Sequence, residues 1–551
     1  MLIHQPPTPP RQGSETLTLL PLATSTCPST PISMASQTGK PTKSRDEGTF
    51  NLPLRGASCS PTSEEISRRS VTTFNDLPAE IHEGILDHLF GVRAATASSR
   101  TAGNSGQRGW NTILRHPRRK QLSDLALVNP LWRRLIQERL YRHIKVKGTI
   151  AELQEASEWF DLKPLLRTYV RHIEIWVPVW GNKTEHSHSL PTSHIQTSSI
   201  VHHGVVTVFN DRQTGSNTIY QQASHNASIE EIFDVVQDVF PDACVLTLEG
   251  GHCKKPPMIK HFKNQSTKWQ WLPTLPNIRT FIMKGAWNII RDDVDFLRLS
   301  AALPNLIEWH CTYAQPKSKA YKSMYDILDP KSLPNHLTHL NICLEGFYSK
   351  GAAKPNMWSK VYPKYHICRV LGDVTSSLEA LTYTGRVCGC FFTHAIAAAR
   401  RNRNGSRLRS LDLVVKNCCR KNCILDEGTG ITNWSFIQAF EALVVECVSS
   451  LAVLSELKDI RIRYIDLDAP CPLLNPYFQL KNNQCSGLWN ADILALLPMV
   501  RPQAQYVELS DGLEFLQRDA EGRLSDTVFP HTRPMGIKAS SYAAIADVEK
   551  I

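Results

Sequence analysis

The residues best suited to chemistry in this chain of 551 residues are cysteines in two close groups. Cys388 and Cys390 are separated by a single glycine, and the pair Cys418-Cys419 is followed shortly by Cys423. Thiolates can hold zinc, but zinc sites are usually built from cysteine pairs spaced by about two to four residues. One pair is closer than that and the other group is irregular. We therefore expect buried structural thiols here, with no metal site and no cofactor.

Other motifs that could support catalysis lack the spacing that their chemistry needs. His82-Glu83 resembles the start of a zinc-protease helix, but the next histidine is His88, too far along for both imidazoles to face one metal ion. Gly428 and Gly430 lack the third glycine and the preceding strand of a dinucleotide-binding turn. The chain has no Gly-x-Ser-x-Gly elbow, phosphate-binding loop or set of kinase motifs. We expect no catalytic residue and no enzymatic activity.

Composition and cysteine usage limit the class of protein. With 42% hydrophobic and 21% charged residues, the chain can bury a large core and form more than one structural unit. Its 15 cysteines lack the dense, even spacing of a small secreted scaffold, and its N-terminus lacks a secretory signal. No run of about twenty apolar residues occurs that could span a membrane. We expect reduced thiols, a location in the cytoplasm, the nucleus or both, and no membrane partner.

The net charge of +11 raises the question of nucleic-acid binding. Basic residues cluster at 115–120 and at 400–409, but neither cluster alternates with aromatic residues as a base-stacking surface does. We expect solvated loops at these positions rather than a nucleic-acid partner. The run at 115–120 also fits a nuclear import signal.

The two ends of the chain differ from its middle in composition. Residues 1–70 contain ten of the 34 prolines and are rich in Ser and Thr. Such a segment cannot bury enough apolar surface to offset its ordering entropy, so we expect a disordered tail. Residues 531–551 are expected to form a second, C-terminal tail, with one last helical turn at residues 542–548 as the alternative to a fully frayed end.

Residues 71–147 have the pattern of three short helices, with a polar loop inserted at residues 91–121. Pro78 suits the first turn of a helix, and Asn129-Pro130 ends a second helix and caps a third. The third helix carries two apolar rows along its length. Leu131 and Leu135 form one row, and Trp132, Ile136 and Leu140 form the other. The first helix has one apolar face, because apolar residues recur about every four positions: Leu77, Ile81, Ile85 and Leu89, with Leu86 beside them. Three short helices bury little surface, so their remaining apolar side chains form a natural docking surface.

This region resembles the F-box, the helical module that docks a substrate receptor onto a Skp-type adaptor in a cullin ubiquitin ligase. The resemblance rests on the order Leu77-Pro-x-Glu-Ile81, then Asp124-Leu125, then Val128 four residues before Trp132, then Leu140-Tyr-Arg-His-Ile. The chain departs from the family at Asn129, where a cysteine is usual, and in the insert at 91–121. A small helical cap on a larger domain is the alternative. The resemblance implies adaptor contacts at Leu77, Pro78, Ile81, Ile85, Leu86, Leu125, Val128, Trp132 and Leu135.

A second pattern, apolar-x-x-apolar-x-apolar, recurs nine times further along the chain. Three copies follow the tripeptide Leu-Pro-Asn, and the alternation is typical of a short strand with one buried face. Helical patterns lie between several copies, for example at residues 294–302 and 434–454. The nine copies begin at Val170, Ala243, Ile278, Leu306, Leu337, Leu378, Leu408, Leu457 and Ala504.

Repeated strand and helix units in residues 148–530 resemble a degenerate leucine-rich-repeat solenoid. The period varies from 28 to over 40 residues, so we expect insertions, the largest being a polar insert at residues 181–229. A compact α/β domain is the alternative. The segment at residues 471–489 also resembles a stretch near the C-terminus of large fungal F-box proteins. The expected fold is α+β overall, with an all-α F-box of three helices followed by an α/β solenoid.

Together, the two resemblances imply the substrate-recognition subunit of a Skp–cullin–F-box ubiquitin ligase. The F-box would bind the adaptor and, through it, a cullin, while the repeat domain would hold an unidentified target protein for ubiquitination. Such a subunit acts by proximity and needs no cofactor. The alternative is a non-catalytic repeat scaffold that binds an adaptor outside any ubiquitin ligase.

Overall fold

A thirteen-stranded sheet lies at the centre of the described part of the chain. The computed structural model describes residues 74, 77–90, 119–177, 226–250, 272–290, 292–313, 318–330, 332–345, 361–402, 405–419, 428–467, 469, 471–511, 516–518, 524–527 and 530–548. The strands are β1 (His143–Lys147), β2 (His172–Trp176), β3 (Val245–Glu249), β4 (Thr280–Lys284), β5 (Glu308–Thr312), β6 (His339–Cys343), β7 (Ala380–Val387), β8 (Ser410–Cys418), β9 (Asp459–Tyr464), β10 (Tyr477–Lys481), β11 (Gln484–Trp489), β12 (Gln505–Tyr506), β13 (Leu516–Arg518), β14 (Leu524–Thr527) and β15 (Gly536–Lys538). Strands β13 and β14 form a separate antiparallel pair.

The order of strands in the sheet follows their order in the chain from β1 to β12. Each strand from β1 to β8 pairs in parallel with the next, whereas β10 is antiparallel to both β9 and β11. Strands β12 and β15 both pair in parallel with β11. Parallel neighbours need a crossover connection, and most of the helices lie in those connections.

Thirteen α-helices occur in the described ranges. Most strands are preceded or followed in the chain by one of these helices. They are α1 (Ala79–Phe90), α2 (Arg119–Leu125), α3 (Pro130–Tyr141), α4 (Ile150–Asp161), α5 (Pro164–Arg167), α6 (Ile229–Val239), α7 (Asp293–Ala301), α8 (Ser318–Ile327), α9 (Ile367–Val374), α10 (Cys390–Arg401), α11 (Trp434–Ser450), α12 (Ala491–Val500) and α13 (Ser541–Val548). The helices predicted at 294–302 and 434–454 correspond to α7 and α11. The mixed α/β content agrees with the α+β expectation.

Eight of the nine predicted strand patterns coincide with β2 to β9, and their apolar positions stack from strand to strand. Ile173 is in register with Leu246, and Leu246 is in register with Phe281. The middle apolar position of each pattern therefore lies beside the middle apolar position of the pattern on the next strand. These columns are buried and form the core. The ninth pattern was wrong: only Gln505 and Tyr506 pair, and Val507 is 52% exposed. Leu509, the last apolar position of that pattern, is also exposed, so of its three apolar residues only Ala504 is buried.

The recurring Leu-Pro-Asn tripeptide forms a ladder of side-chain hydrogen bonds at the entry to the strands. Asn305 Nδ2 donates to the carbonyl of Pro276 at 2.8 Å, and Asn277 Nδ2 donates to the carbonyl of Pro241 at 2.9 Å. The leucines of these two tripeptides, Leu275 and Leu303, are buried, whereas Leu333 of the third copy is half-buried. Each asparagine thus satisfies a carbonyl of the preceding turn that no strand partner reaches.

The strands β10 and β11 form a hairpin that the sequence patterns did not predict. Asn482 and Asn483 connect them with φ angles of 51° and 63°. Two residues with positive φ make the turn that matches the twist of paired strands, and asparagine tolerates this conformation well. Gly487 on β11 also has a positive φ of 98°, and a Cβ there would lie 2.1 Å from the Tyr477 carbonyl oxygen. Only glycine fits that position.

Five predicted segments differ from the structure or lie largely outside the described residues. Residues 143–147, assigned to the helical region at 71–147, form β1 because their apolar side chains continue the core columns of β2. Within the tail predicted at 531–551, Gly536–Lys538 form β15 and Ser541–Val548 form α13, which agrees with the helical turn expected there. Tyr542 is fully buried, so this part of the chain is not frayed. The tail at 1–70 and nearly all of the inserts at 91–121 and 181–229 lie outside the described residues. The described ends of the two inserts are wrong, because residues 119–121 belong to α2 and Ile229 begins α6.

Candidate functional site

The three helices α1, α2 and α3 form a small core of their own. Leu86, Leu122, Trp132, Leu135, Ile136 and Leu140 pack together in it. Trp132 Nε1 donates a hydrogen bond of 2.9 Å to Nδ1 of the fully buried His82, and the Phe74 ring packs against both rings. The indole therefore has its polar group satisfied inside the core, as a buried tryptophan requires.

Polar contacts fix the start of α3 and its position against α1. Asn129 caps α3 by accepting a 2.7 Å hydrogen bond from the Trp132 backbone N–H, with Pro130 in the first turn, as predicted. Near the other end of α3, the buried Arg139 forms an ion pair with Asp87 at 2.5 Å and donates to the Glu83 carbonyl. Asn129 therefore stabilises the start of α3.

The nine residues predicted to contact an adaptor fall into three groups by burial. Pro78, Ile81 and Val128 are exposed, with 50% of Ile81 and 58% of Val128 accessible. Leu77, Ile85 and Leu125 are half-buried. The other three belong to the core of the module, so their burial indicates packing rather than contact with a partner: Leu86, Trp132 and Leu135.

Two further apolar residues of the module are exposed although they were not among the predicted contacts. Leu89 is 45% exposed and Leu127 is 76% exposed. Leu89 continues the four-residue spacing of Ile81 and Ile85, so helical periodicity alone could have identified it. We call Pro78, Ile81, Leu89, Leu127 and Val128 the exposed apolar set of the module.

The module joins the sheet with almost no linker. Helix α3 ends at Tyr141 and strand β1 begins at His143. The Tyr141 ring stacks on Trp159 of α4 with centroids 5.7 Å apart, and it packs against both the core of the module and the core of the sheet. This continuity makes the helical module an extension of the sheet domain.

The sheet face opposite the apolar columns carries polar side chains. We call the positions in register with His143, Lys145 and Lys147 on β1, continuing on β2 to β9, the polar face. On β2 and β3 these side chains are mostly buried, whereas on β9 Asp459 and Arg461 are exposed. The polar face therefore changes from a buried network at its first strands to an accessible surface at its last strands.

A network of buried charges occupies the first strands of the polar face. Lys145 Nζ contacts Glu174 Oε1 at 2.8 Å and Glu249 Oε2 at 2.7 Å, and Lys284 lies 3.5 Å from the same Glu174 oxygen. Burial alone raises the pKa of the Glu174 carboxyl, but the hydrogen bond from His143 and the charges of Lys284 and Lys145 outweigh it and hold this pKa well below its usual range. Cations and carboxylates thus compensate one another here.

Arginines dominate the accessible end of the polar face. Arg461 and Arg463 on β9 both contact the single carboxylate of Asp412 on β8, and Arg463 does so at 3.1 Å. Arg533 lies over the Tyr477 ring on the neighbouring strand β10, with its guanidinium carbon 5.0 Å from the ring centroid. Three guanidinium groups and the two carboxylates of Asp412 and Asp459 leave this end of the face with one excess positive charge.

The structure does not keep the two cysteine groups of the sequence as separate sites, but brings one cysteine of each group together. Cys388 and Cys419 lie close to each other and to two residues that sequence spacing did not indicate, His366 and Cys368. Cys418 packs in the sheet core instead, and Cys423 lies outside the described residues. His82 is buried in the module and His88 is exposed, so the protease-like pair does not share a site.

A small cleft lies between the end of α6 and the turn that leads into β4. It has a volume of about 160 Å³ and is lined mainly by apolar and proline residues, among them Phe240, Pro241 and Pro276. Sites for small organic ligands usually enclose roughly 300–1,000 Å³. This cleft is too small to suggest a cofactor or substrate site.

No family model matches this chain, and a comparison with the curated proteins found no match. The resemblances to the F-box and to leucine-rich repeats therefore rest on the residues and geometry given above. In the part of the chain that the structure describes, no helix has both the length and the apolar character needed to span a membrane.

Proposed function

We propose that this protein is the substrate-recognition subunit of a Skp–cullin–F-box ubiquitin ligase. The observation that supports this most is the exposed apolar set of the module. Ile81, Leu127 and Val128 remain accessible although the module has a complete core of its own. Exposed apolar residues concentrated on one small element favour a docking role, and the order of residues matches that of the F-box.

The sheet domain is proposed to hold the target protein. Nine neighbouring parallel strands in chain order, with stacked apolar columns and helical crossovers, support the interpretation as an irregular leucine-rich-repeat solenoid. Such repeats present a continuous face to a partner. The accessible, arginine-rich end of the polar face on β8 and β9 is the part that fits a target segment carrying carboxylate or phosphate groups.

The direct junction between α3 and β1 supports a rigid connection between the helical module, which would bind the adaptor, and the sheet domain, which would bind the target. A receptor accelerates transfer by holding the lysines of its target near the ubiquitin-charged enzyme, and flexible attachment would dilute that effect. One residue separates the module from the sheet, and Tyr141 packs into both cores. This direct attachment supports a receptor that holds its target at a constant orientation to the adaptor.

The proposed function is tested by co-purification of the tagged full-length chain with its partners. We expect a Skp-type adaptor and a cullin to be recovered together, and the recovered complex to support ubiquitin transfer. Recovery of the adaptor with no cullin would instead favour a scaffold outside any ubiquitin ligase. Recovery of neither would contradict the proposal.

We predict that charge reversal at the accessible end of the polar face removes the target but not the adaptor. Arg461→Glu combined with Arg463→Glu replaces two cations beside Asp412 with anions, which repel a carboxylate or phosphate on the target. Proximity labelling in cells should then lose the target while labelling of the adaptor is unchanged. Arg167→Glu combined with Arg171→Glu, before β2, is a control of equal charge change on half-exposed arginines. An unchanged set of labelled proteins would place the target elsewhere.

A further inference from the structure

Four side chains that are distant in sequence converge at one edge of the sheet. His366 precedes α9, Cys368 lies in its first turn, Cys388 directly follows β7, and Cys419 directly follows β8. Their ligand atoms, one imidazole nitrogen and three sulfurs, all lie within 4.8 Å of one another. His366 and Cys368 are buried, whereas Cys388 and Cys419 are half-buried.

The topology explains why these residues meet. Strands β7 and β8 are parallel neighbours, so the segments that leave them emerge side by side. The backbone N–H of Cys419 donates to the Val387 carbonyl at 3.1 Å, which holds the two exits together. Cys368 Sγ lies 3.6 Å from the carbonyl oxygen of Arg386 on β7, so the first turn of α9 sits against the same strand end.

The spacing of the ligand atoms is that of a tetrahedral metal centre. The sulfurs of Cys368 and Cys419 are 3.8 Å apart, and Cys388 Sγ is 3.2 Å from His366 Nε2. Zinc bonds of about 2.3 Å to sulfur and about 2.0–2.1 Å to nitrogen imply separations of roughly 3.8 Å between sulfurs and roughly 3.5 Å between sulfur and nitrogen. A disulfide, with a bond of about 2.0 Å, would join only two of the four groups.

We propose that His366, Cys368, Cys388 and Cys419 bind one zinc ion in a closed site with three cysteines and one histidine. Thiolate and imidazole ligands in a tetrahedral set select zinc, and a site with four protein ligands has a structural role. The Tyr362 ring, centred 4.8 Å from the His366 ring, helps to orient the imidazole. The metal ties the exits of β7 and β8 to the start of α9.

The first test is the metal content of the full-length chain, purified under reducing conditions without a chelator. We expect about one zinc ion per chain by mass spectrometry of the metal. Cys388→Ser combined with Cys419→Ser should reduce this to background. Cys390→Ser is the matched control, because Cys390 lies two residues from Cys388 and is equally half-buried but does not belong to the cluster. Metal loss in that control as great as in the double variant would overturn the assigned ligands.

A second measurement does not depend on whether the variants fold. X-ray absorption at the zinc edge of the wild-type chain should give three sulfurs at about 2.3 Å and one nitrogen at about 2.0–2.1 Å. After exchange with cobalt(II), the same set should give a thiolate-to-cobalt charge-transfer band and the visible bands of tetrahedral cobalt. A first shell of oxygen and nitrogen only, or a folded chain that takes up neither metal, would contradict the proposal.

Discussion

Replacing Ile81 and Val128 together with aspartate should reduce the affinity for a Skp-type adaptor at least about a thousandfold. Burying an aliphatic side chain of this size contributes roughly 1.5–3 kcal/mol relative to leaving it exposed, and each ~1.4 kcal/mol is tenfold in affinity. Two such losses give about 4 kcal/mol. Two carboxylates placed in an apolar interface add a desolvation cost. The measurement is titration of the purified full-length chain with the adaptor.

The double variant should remain folded, because both side chains are half-exposed or more and lie outside the core of the module. An aspartate at position 81 also lies in the first turn of α1, where a negative charge stabilises the helix. Val294→Asp combined with Met499→Asp is the matched control, since both residues are exposed on helices elsewhere. Equal adaptor affinity for the variant and the control would rule out the exposed apolar set as the docking surface.

The sheet was largely predictable from the sequence because its core repeats. In β2 to β9 the same two apolar positions enter the core on each strand, and a residue such as Trp309 or Tyr383 occupies a place where another strand has an aliphatic side chain. This pattern is local and therefore visible without the fold. Strand β1 was missed because Ile144 and Val146 directly follow an amphipathic helix. The apolar spacing changes there from that of a helix to the alternation of a strand, and the strand is too short for its alternation to stand out.

The candidate sites were less predictable because they depend on contacts between distant residues. Lys145 and Glu249 are 104 positions apart, and nothing in the local sequence of either indicates that both are buried. His366 and Cys419 likewise meet only because β7 and β8 are neighbours in the sheet. On the helical module, spacing identified the apolar stripe but could not separate the buried Leu86 from the exposed Ile81, since that depends on where α3 packs.

The buried charge network gives the largest expected effect on stability. Lys145→Met should lower the free energy of unfolding by about 3–5 kcal/mol, because it leaves two buried carboxylates, Glu174 and Glu249, with the single cation of Lys284 to compensate both. The side chains of Lys145, Glu174 and Glu249 are 5%, 2% and 6% exposed, so water cannot replace the lost cation. Lys147→Met, two residues along the same strand, is the matched control. Its ion pair with Glu152 is exposed on both sides, and its loss should cost at most about 1 kcal/mol.

The free energy of unfolding that is lost in Lys145→Met should depend on pH and on the balance of charges among Lys145, Glu174, Glu249 and Lys284. The folded-state pKa of Glu174 lies below its ordinary value of 4.5, so its contribution to stability is present above that pH and is lost as the pH falls. Protonation of Glu174 removes the uncompensated charge, so the difference between wild type and Lys145→Met should shrink on acidification below about pH 4.5. Adding Glu174→Gln leaves Lys284 and Glu249 as a balanced pair and should recover part of the loss at neutral pH. Urea unfolding of the wild type, Lys145→Met, Glu174→Gln and the double variant across this pH range measures both effects. Strictly additive losses at all pH values would mean that Lys145 stabilises the sheet by packing alone.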